Sequence, residues 1–372
     1  MTIKGCILYL AVLFSIQGET KEVLSERKHP TIAIFAFRHE KMTPWDKDNI
    51  EKGLTGSEEA IVYISDELVK LGYKVTIFND PPQDSKYSSA QANPRFVPMN
   101  FRDGTVYDIG IVWRILELTE FVKNQACTLY FWPHDTYCVQ NDRNLKEIKD
   151  VLWLSKWQRE EWVAHNPKFA QYTHIFGNGI CPDQVQKIQK RINPYSCIYG
   201  SNYARGLEVL LDLWPEVKKH YPRATLDVYY GWEHWGCLTK EQERILRGKV
   251  ESAASLGVKD HGQVGHKELM AAYGKASLWT YPCIAPETFC ITAIRAQAAG
   301  AIPVVIEGSG LKETVRWGFV SANKEQYLQA LLQAMKEAET ISLKQRKQTS
   351  QLILNEYSWS KIACDWDLLF KR

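Results

Sequence analysis

The sequence predicts an α/β protein made of two doubly wound domains that face each other across a cleft. Three observations predict it. Strand-like and helix-like segments alternate along the chain in two successive series. Apolar runs such as "TIAIFAF" (31–37) have the length and content of buried strands. The length of 372 residues suits two domains, and the composition, 45% hydrophobic, 24% charged and 12% aromatic, is that of a globular protein.

The first series opens with the strand 31–37. "GSEEAIVYISDELVKLG" (56–72) carries apolar residues at helical spacing and ends on Gly72 as a cap. "YKVTIFN" (73–79) is the next strand, which completes a βαβ opening. "VYDIGIVWR" (106–114) and "TLYFWPHD" (128–135) continue as strands. "VLWLSKWQREEWVAHNP" (151–167) is strand then helix, and "YTHIFGNGI" (172–180) is a short strand.

The second series begins with the strand "YSCIYGS" (195–201) and the amphipathic helix "RGLEVLLDLWPEVKKHYP" (205–222). The strand 224–231, the helix 240–257, the short strand "VKDHGQV" (258–264), the helix 267–276 and the strand "SLWTYPC" (277–283) follow. "APETFCITAIRAQAAGAIPVV" (285–305) is a helix from about Phe289 and then a strand, and 342–372 forms terminal helices. The division is therefore a leader over 1–28, a first domain over 29–180, a second over 181–345, and C-terminal helices over 346–372 that pack back toward the first domain.

Net charge is +3, too balanced to make nucleic acid the main partner. The nine cysteines are scattered without a CxxC pair, which fits core thiols better than a disulfide or zinc framework. "MTIKGCILYLAVLFSIQGETKE" has the layout of a secretory signal with cleavage near Gly18, or of a short membrane-associated leader. The scattered cysteines and the lack of an N-x-S/T sequon pull against secretion.

Chemistry is expected where strand ends face the cleft. "YPCIAPETFC" leaves a strand and enters a helix, whose free N–H groups suit an anion. Glu287 sits at that end. It either caps the helix or accepts hydrogen bonds from sugar hydroxyls, and the N–H groups of Phe289 and Cys290 then face a phosphate or sugar.

"PETFCITAIRAQAAGAIPVV" resembles the signature of retaining GT-B glycosyltransferases of family 4, which runs E-x-F-G-x-x-x-x-E, a small-residue helix, Gly and a P-V-V strand. "WPHD", "LSKWQREE", "GNGI", "YGSNYARGLEVLLDLWP" and "YSWSKIACDW" resemble further family segments in the same order, from about residue 31 to 366. The resemblance implies a GT-B fold, two Rossmann-like domains with an acceptor site in the first and a nucleotide-sugar site in the second. It implies that Glu287 contacts the donor sugar, with Phe289, Cys290 and Ile291 near the sugar and diphosphate. Arg205 matches the basic residue that neutralises the diphosphate, and His134 a histidine beside the reacting sugar. Gly53, Gly56 and Ser57 match a loop that approaches the phosphates. From the residues alone, Arg205 is also an ordinary helix-start cation, His134 a strand-end histidine bonded to Asp135, and Ser57 a helix cap with Glu58 and Glu59 in its first turn.

Cys290 takes the place of the Gly after the motif Phe, and two further positions depart from the pattern. Arg295 stands where the family has its second Glu, which binds ribose hydroxyls; an arginine cannot accept those bonds. It is left to face a phosphate, pair with Glu287 or Glu313, or point away. The family's other basic residue falls at Ser201, with Lys156 and Lys312 as weaker substitutes.

The expectation is a retaining, metal-independent transferase that moves a sugar from a nucleoside-diphosphate sugar, as substrate and not cofactor, to a hydroxyl of a glycan or other acceptor in surface-glycan synthesis. It would work in the cytoplasm with peripheral membrane association. Two alternatives are a catalytically inactive nucleotide-sugar or glycan-binding protein of the same fold, and an epimerase or phosphorylase.

Overall fold

In the computed structural model, which describes residues 29–36, 43–139, 141–232 and 238–372, the chain forms two six-stranded sheets. The expected leader lies outside the described residues.

The first sheet contains β1 (Thr31–Phe35), β2 (Lys74–Phe78), β3 (Arg95–Val97), β4 (Tyr107–Trp113), β5 (Ala126–Trp132) and β6 (Ile148–Val151). Their order is β3-β2-β1-β4-β5-β6, all parallel. The second contains β7 (Ser196–Gly200), β8 (Thr225–Tyr229), β9 (Val258–Asp260), β10 (Leu278–Tyr281), β11 (Ile302–Ile306) and β12 (Phe319–Ser321), in the order β12-β11-β10-β7-β8-β9. Counted from each domain's own first strand, both sheets have the order 3-2-1-4-5-6. Each has a switch point beside its first strand, where ligands of open α/β sheets bind.

The central strands read as unbroken apolar runs because helices cover both faces. Four of five β1 residues and all five of β11 are buried. Pro303 is tolerated inside β11 because β12 pairs only with Val304–Ile306, so no partner waits for its missing N–H. The short strands β3 and β12 were not expected from sequence. The strand expected over 172–180 is instead two isolated bridges, Trp153 with Ile175 and Ile180 with Ser358.

The helices that matter for the cleft are α1 (Gly56–Lys70), α2 (Lys156–His165), α3 (Leu207–His220), α4 (Lys240–Ala253), α5 (His266–Lys275) and α6 (Ile291–Ala298). Gly72 follows α1 at φ +98°, a left-handed turn that stops the helix. Helix α6 starts two residues later than expected, with Cys290 as its N-cap.

Beyond α7 (Tyr327–Thr340), the two terminal helices divide between the domains. Helix α8 (Leu343–Glu356) lies on the second: buried Arg346 donates to Gly300 O at 2.5 Å, and Ser350 to Ala298 O at 2.5 Å. Helix α9 (Trp359–Phe370) crosses back and buries Trp359, Ile362, Trp366 and Leu369 in the first domain's core against α1. Trp366 meets Trp132 edge-on, with ring centres 4.8 Å apart.

Candidate active site

The carboxyl ends of both sheets open on one cavity of about 370 Å³. Its walls carry Arg114 and His134 from the first sheet's strand ends, Ser201, Asn202 and Arg205 after β7, Tyr229 and Tyr230 from β8, and Glu287–Thr292 after β10. The loop before α1 with that helix's first residues, and Arg295, line it as well. Thus Glu287, Arg205, His134, Phe289, Cys290, Ile291, Arg295, Gly56 and Ser57, singled out from sequence, all line the same cavity.

Glu287 and Arg205 meet directly, with Arg205 Nη1 2.5 Å from Glu287 Oε1. The Tyr281 hydroxyl, at the end of β10, donates to the same carboxylate oxygen. Glu287 is fixed from behind, since its N–H donates to Ser309 Oγ at 2.8 Å and its carbonyl accepts from Gly310 N at 2.8 Å. Burial alone would lower the guanidinium's proton affinity, but Glu287 outweighs it and holds Arg205 more firmly charged than usual. The turn that presents Arg205 depends on Gly206 (φ +96°), where a Cβ would lie 2.3 Å from Pro282 O.

His134 does not bond to Asp135. That carboxylate takes a two-pronged bond from Arg114, with Nε–Oδ2 and Nη2–Oδ1 both 2.6 Å. The His134 ring is wedged edge-on against Trp132, 4.4 Å between centres. Burial first and Arg114 second keep it well below the usual histidine range, so it is neutral. Its Nε2 is buried with no hydrogen-bond partner among the described residues, as is Asn178 Oδ1. Burial, helped by Glu287, pushes the Cys290 thiol up, so it stays protonated in the family's glycine position. The Phe289 ring is buried against Tyr357, 5.8 Å between centres. With the helix start at Ile291, Ile291 and Thr292 are the first-turn residues that line the cavity, and Phe289 and Cys290 line it ahead of the helix.

Arg295 pairs with neither Glu287 nor Glu313. It reaches across the cleft to Glu59 on α1, with Nη2 3.0 and 2.8 Å from the two carboxylate oxygens. His266 Nδ1 stands 2.9 Å from the same carboxylate. Glu313 instead caps α2 of the first domain, accepting from Lys156 N at 2.9 Å and Trp157 N at 2.7 Å. Thr288 Oγ1 donates to His134 O at 3.1 Å and Ser155 Oγ to Thr288 O at 2.7 Å, so the cleft is bridged on several sides.

Glu59, His266, Arg114, Asn178 and Tyr281 were not singled out from sequence as site residues. Glu59 had a local signal only, an acid in a helix's first turn, and nothing near it names a partner 236 residues away. Among the described residues no cluster of His, Cys, Asp and Glu has the makings of a metal site, and no helix is long and apolar enough to cross a membrane.

Residues 194–337 match the family model described as "Glycosyl transferases group 1". No curated protein sequence matches the chain. Solved structures do. Sucrose-phosphate synthase from Thermosynechococcus elongatus is 15% identical, with a TM-score of 0.70 over 92% of this chain and 98% of that one. Anabaena HepE, solved with UDP-glucose, is 14% identical with a TM-score of 0.69, over 92% and 100%. The catalytic domain of Arabidopsis thaliana starch synthase IV, bound to ADP and acarbose, is 11% identical with a TM-score of 0.66, over 92% and 99%. Such identities speak for the fold, and the family match covers both Arg205 and Glu287. Over residues 194–337 the chain is therefore similar to the group 1 glycosyl transferases, and its two-domain fold is that of the GT-B glycosyltransferases.

Proposed function

We propose that this protein transfers a sugar from a nucleoside-diphosphate sugar to an acceptor hydroxyl with retention of anomeric configuration and without a metal, in the assembly of a glycan. The observation that carries the proposal is the Arg205–Glu287 pair at 2.5 Å inside the cavity, half-exposed on the arginine side. An incoming diphosphate competes for Arg205 and releases Glu287 to accept hydrogen bonds from the donor sugar. HepE, solved with UDP-glucose, and starch synthase IV, bound to ADP and acarbose, share the fold and support a nucleotide-sugar donor.

In the proposed step the bond from the anomeric carbon to the diphosphate oxygen breaks and a bond to the acceptor oxygen forms on the same face. The acceptor's proton passes to the departing phosphate oxygen. The chain's task is to stabilise the charge that develops on the leaving group. Arg205 and the first-turn N–H groups of α6 do this. Neutral His134 offers its unpartnered Nε2 to a sugar hydroxyl, and Asn178 offers Oδ1. The acceptor would enter from the first domain's side.

The test is nucleotide release from a panel of UDP-, GDP-, ADP- and TDP-sugars with glycan acceptors, with Glu287→Ala as control. Release with one donor, lost in the variant, supports the proposal; release that ignores Glu287 contradicts it. A second reading, a non-catalytic binder, draws on Arg295, a spent cation where the family has a ribose-binding carboxylate. Tight nucleotide binding without turnover on any acceptor would favour it.

A further inference from the structure

We infer that Glu59 and Arg295 are positioning residues, a buried ion pair that bolts the loop 53–56 of the first domain to the second domain over the cavity. The effect on donor binding rests on the transferase reading above, whereas the bolt itself does not.

The pair joins two helices whose N-terminal ends both face the cavity: Glu59 is the fourth residue of α1 and Arg295 the fifth of α6. Their side chains are 2% and 9% exposed, so neither charge has water to fall back on. Burial pushes the Glu59 carboxyl upward, but Arg295 and then His266 overcome it and hold it below its usual range. His266, at 3% exposure, has both ring nitrogens against acceptors: Nδ1 is 2.9 Å from Glu59 and Nε2 is 2.9 Å from Leu54 O. The carboxylate thus sits between Arg295 and His266 of the other domain, and His266 also contacts the loop backbone. Tyr63 extends the network, 3.3 Å from His266 Nδ1, and accepts from Gln184 in the connection between the domains at 2.8 Å.

The loop is also pressed close against the second domain. Gln263 Nε2 donates to Gly53 O at 2.6 Å, and a Cβ on Gly53 (φ +91°) would lie 2.6 Å from Val264 O. Separating the domains would leave Glu59, Arg295 and His266 to be rehydrated one by one. Removing either member of the pair strands the rest in a low-dielectric site. Apolar packing could hold the domains together equally well, but a directional, charge-matched contact also fixes where the first turn of α1 stands. Gly56 and Ser57, in that turn, line the cavity.

The experiment compares the whole protein with Arg295→Met, Arg295→Lys and Glu59→Gln, by small-angle X-ray scattering without nucleotide and by donor kinetics. The wild type is expected to scatter with the radius of gyration of the closed structure. Arg295→Met and Glu59→Gln should expand it and raise the donor KM about tenfold, as a closed population reduced to about a tenth requires, with kcat changed less than about threefold. Arg295→Lys, which keeps the charge, should fall between. A wild type already open without nucleotide overturns the inference even where no variant folds. So do variants that stay closed with wild-type KM, and so does a kcat loss at unchanged KM. A wild type without turnover contradicts the transferase reading instead, and scattering then decides the bolt alone.

Discussion

Two arginine–glutamate pairs face the same cavity and have opposite characters. Arg205 and Glu287 are both in the second domain and sit 39% and 13% exposed. Arg295 and Glu59 come from different domains and sit 9% and 2% exposed. An accessible pair can exchange its partner for a ligand, because water and the ligand replace what is lost. A buried pair cannot, because each charge freed in the interior costs several kcal/mol. Exposure, more than the chemistry of the pairs, separates a site that binds from a joint that holds.

The largest expected effect concerns the accessible pair. Arg205→Ala and Glu287→Ala should each lower kcat by about 10²–10³, the scale of losing one pre-set electrostatic contact, with the thermal midpoint little changed. Steady-state kinetics beside a melting curve checks this. If either variant instead lowers the midpoint by several degrees while keeping wild-type kcat, the two pairs have been given the wrong roles.

The buried pair should show the reverse. Arg295→Met leaves Glu59 without its main partner and should cost about 3–5 kcal/mol in urea unfolding. Glu59→Gln/Arg295→Met, with both charges gone, should cost less than the sum of the two single changes, since no lone carboxylate remains. Additive losses would show that the pair is not coupled. Trp366→Ala, which empties a space between α9 and β5, gives a packing loss of similar size, about 3–5 kcal/mol, for calibration.

A smaller effect lies between the pairs, at His134. Unfolded, it titrates near 6.5; folded, burial and Arg114 hold it well below that. Below 6.5 the unfolded chain therefore takes up a proton that the folded one refuses. Stability is full above that pH and falls as the pH drops toward the folded value, by up to about 1.4 kcal/mol per pH unit. His134→Gln should flatten the dependence between pH 6.5 and 5 in a thermal-shift series. Buried Glu58 works against it, since burial raises its carboxyl, but it is common to both proteins and cancels in the comparison. Least of all, Arg244→Ala, which breaks a surface pair with Glu241 at 2.6 Å, should leave the midpoint where it is.

The sequence was informative where local pattern and order decide structure. Unbroken apolar runs marked the central strands, and the Gly after α1 marked its end. The segment 285–305 predicted a strand-to-helix turn with a carboxylate at its mouth, and Glu287 lies there. The two shortest strands, β3 and β12, have three residues each and leave too little pattern to read. The stretch 172–180 looked like a strand, but its apolar residues are spent on two bridges and on contact with α9. Arg295 was visible as an anomaly, an arginine where an acceptor was expected, yet its partner was not. Glu59 reads locally as a first-turn acid on a helix, and only the closing of one domain on the other brings the two together. His134 shows the same limit, because the aspartate beside it in sequence is claimed by Arg114.

The measurement that bears most directly on the difference between the pairs is donor turnover by the wild type, Glu287→Gln and Glu59→Gln, measured side by side with the nucleotide sugar that supports release. The account predicts that Glu287→Gln loses kcat by about 100-fold at near-normal stability, whereas Glu59→Gln keeps kcat and loses donor affinity. Wild-type turnover in Glu287→Gln, or a kcat loss confined to Glu59→Gln, would contradict it.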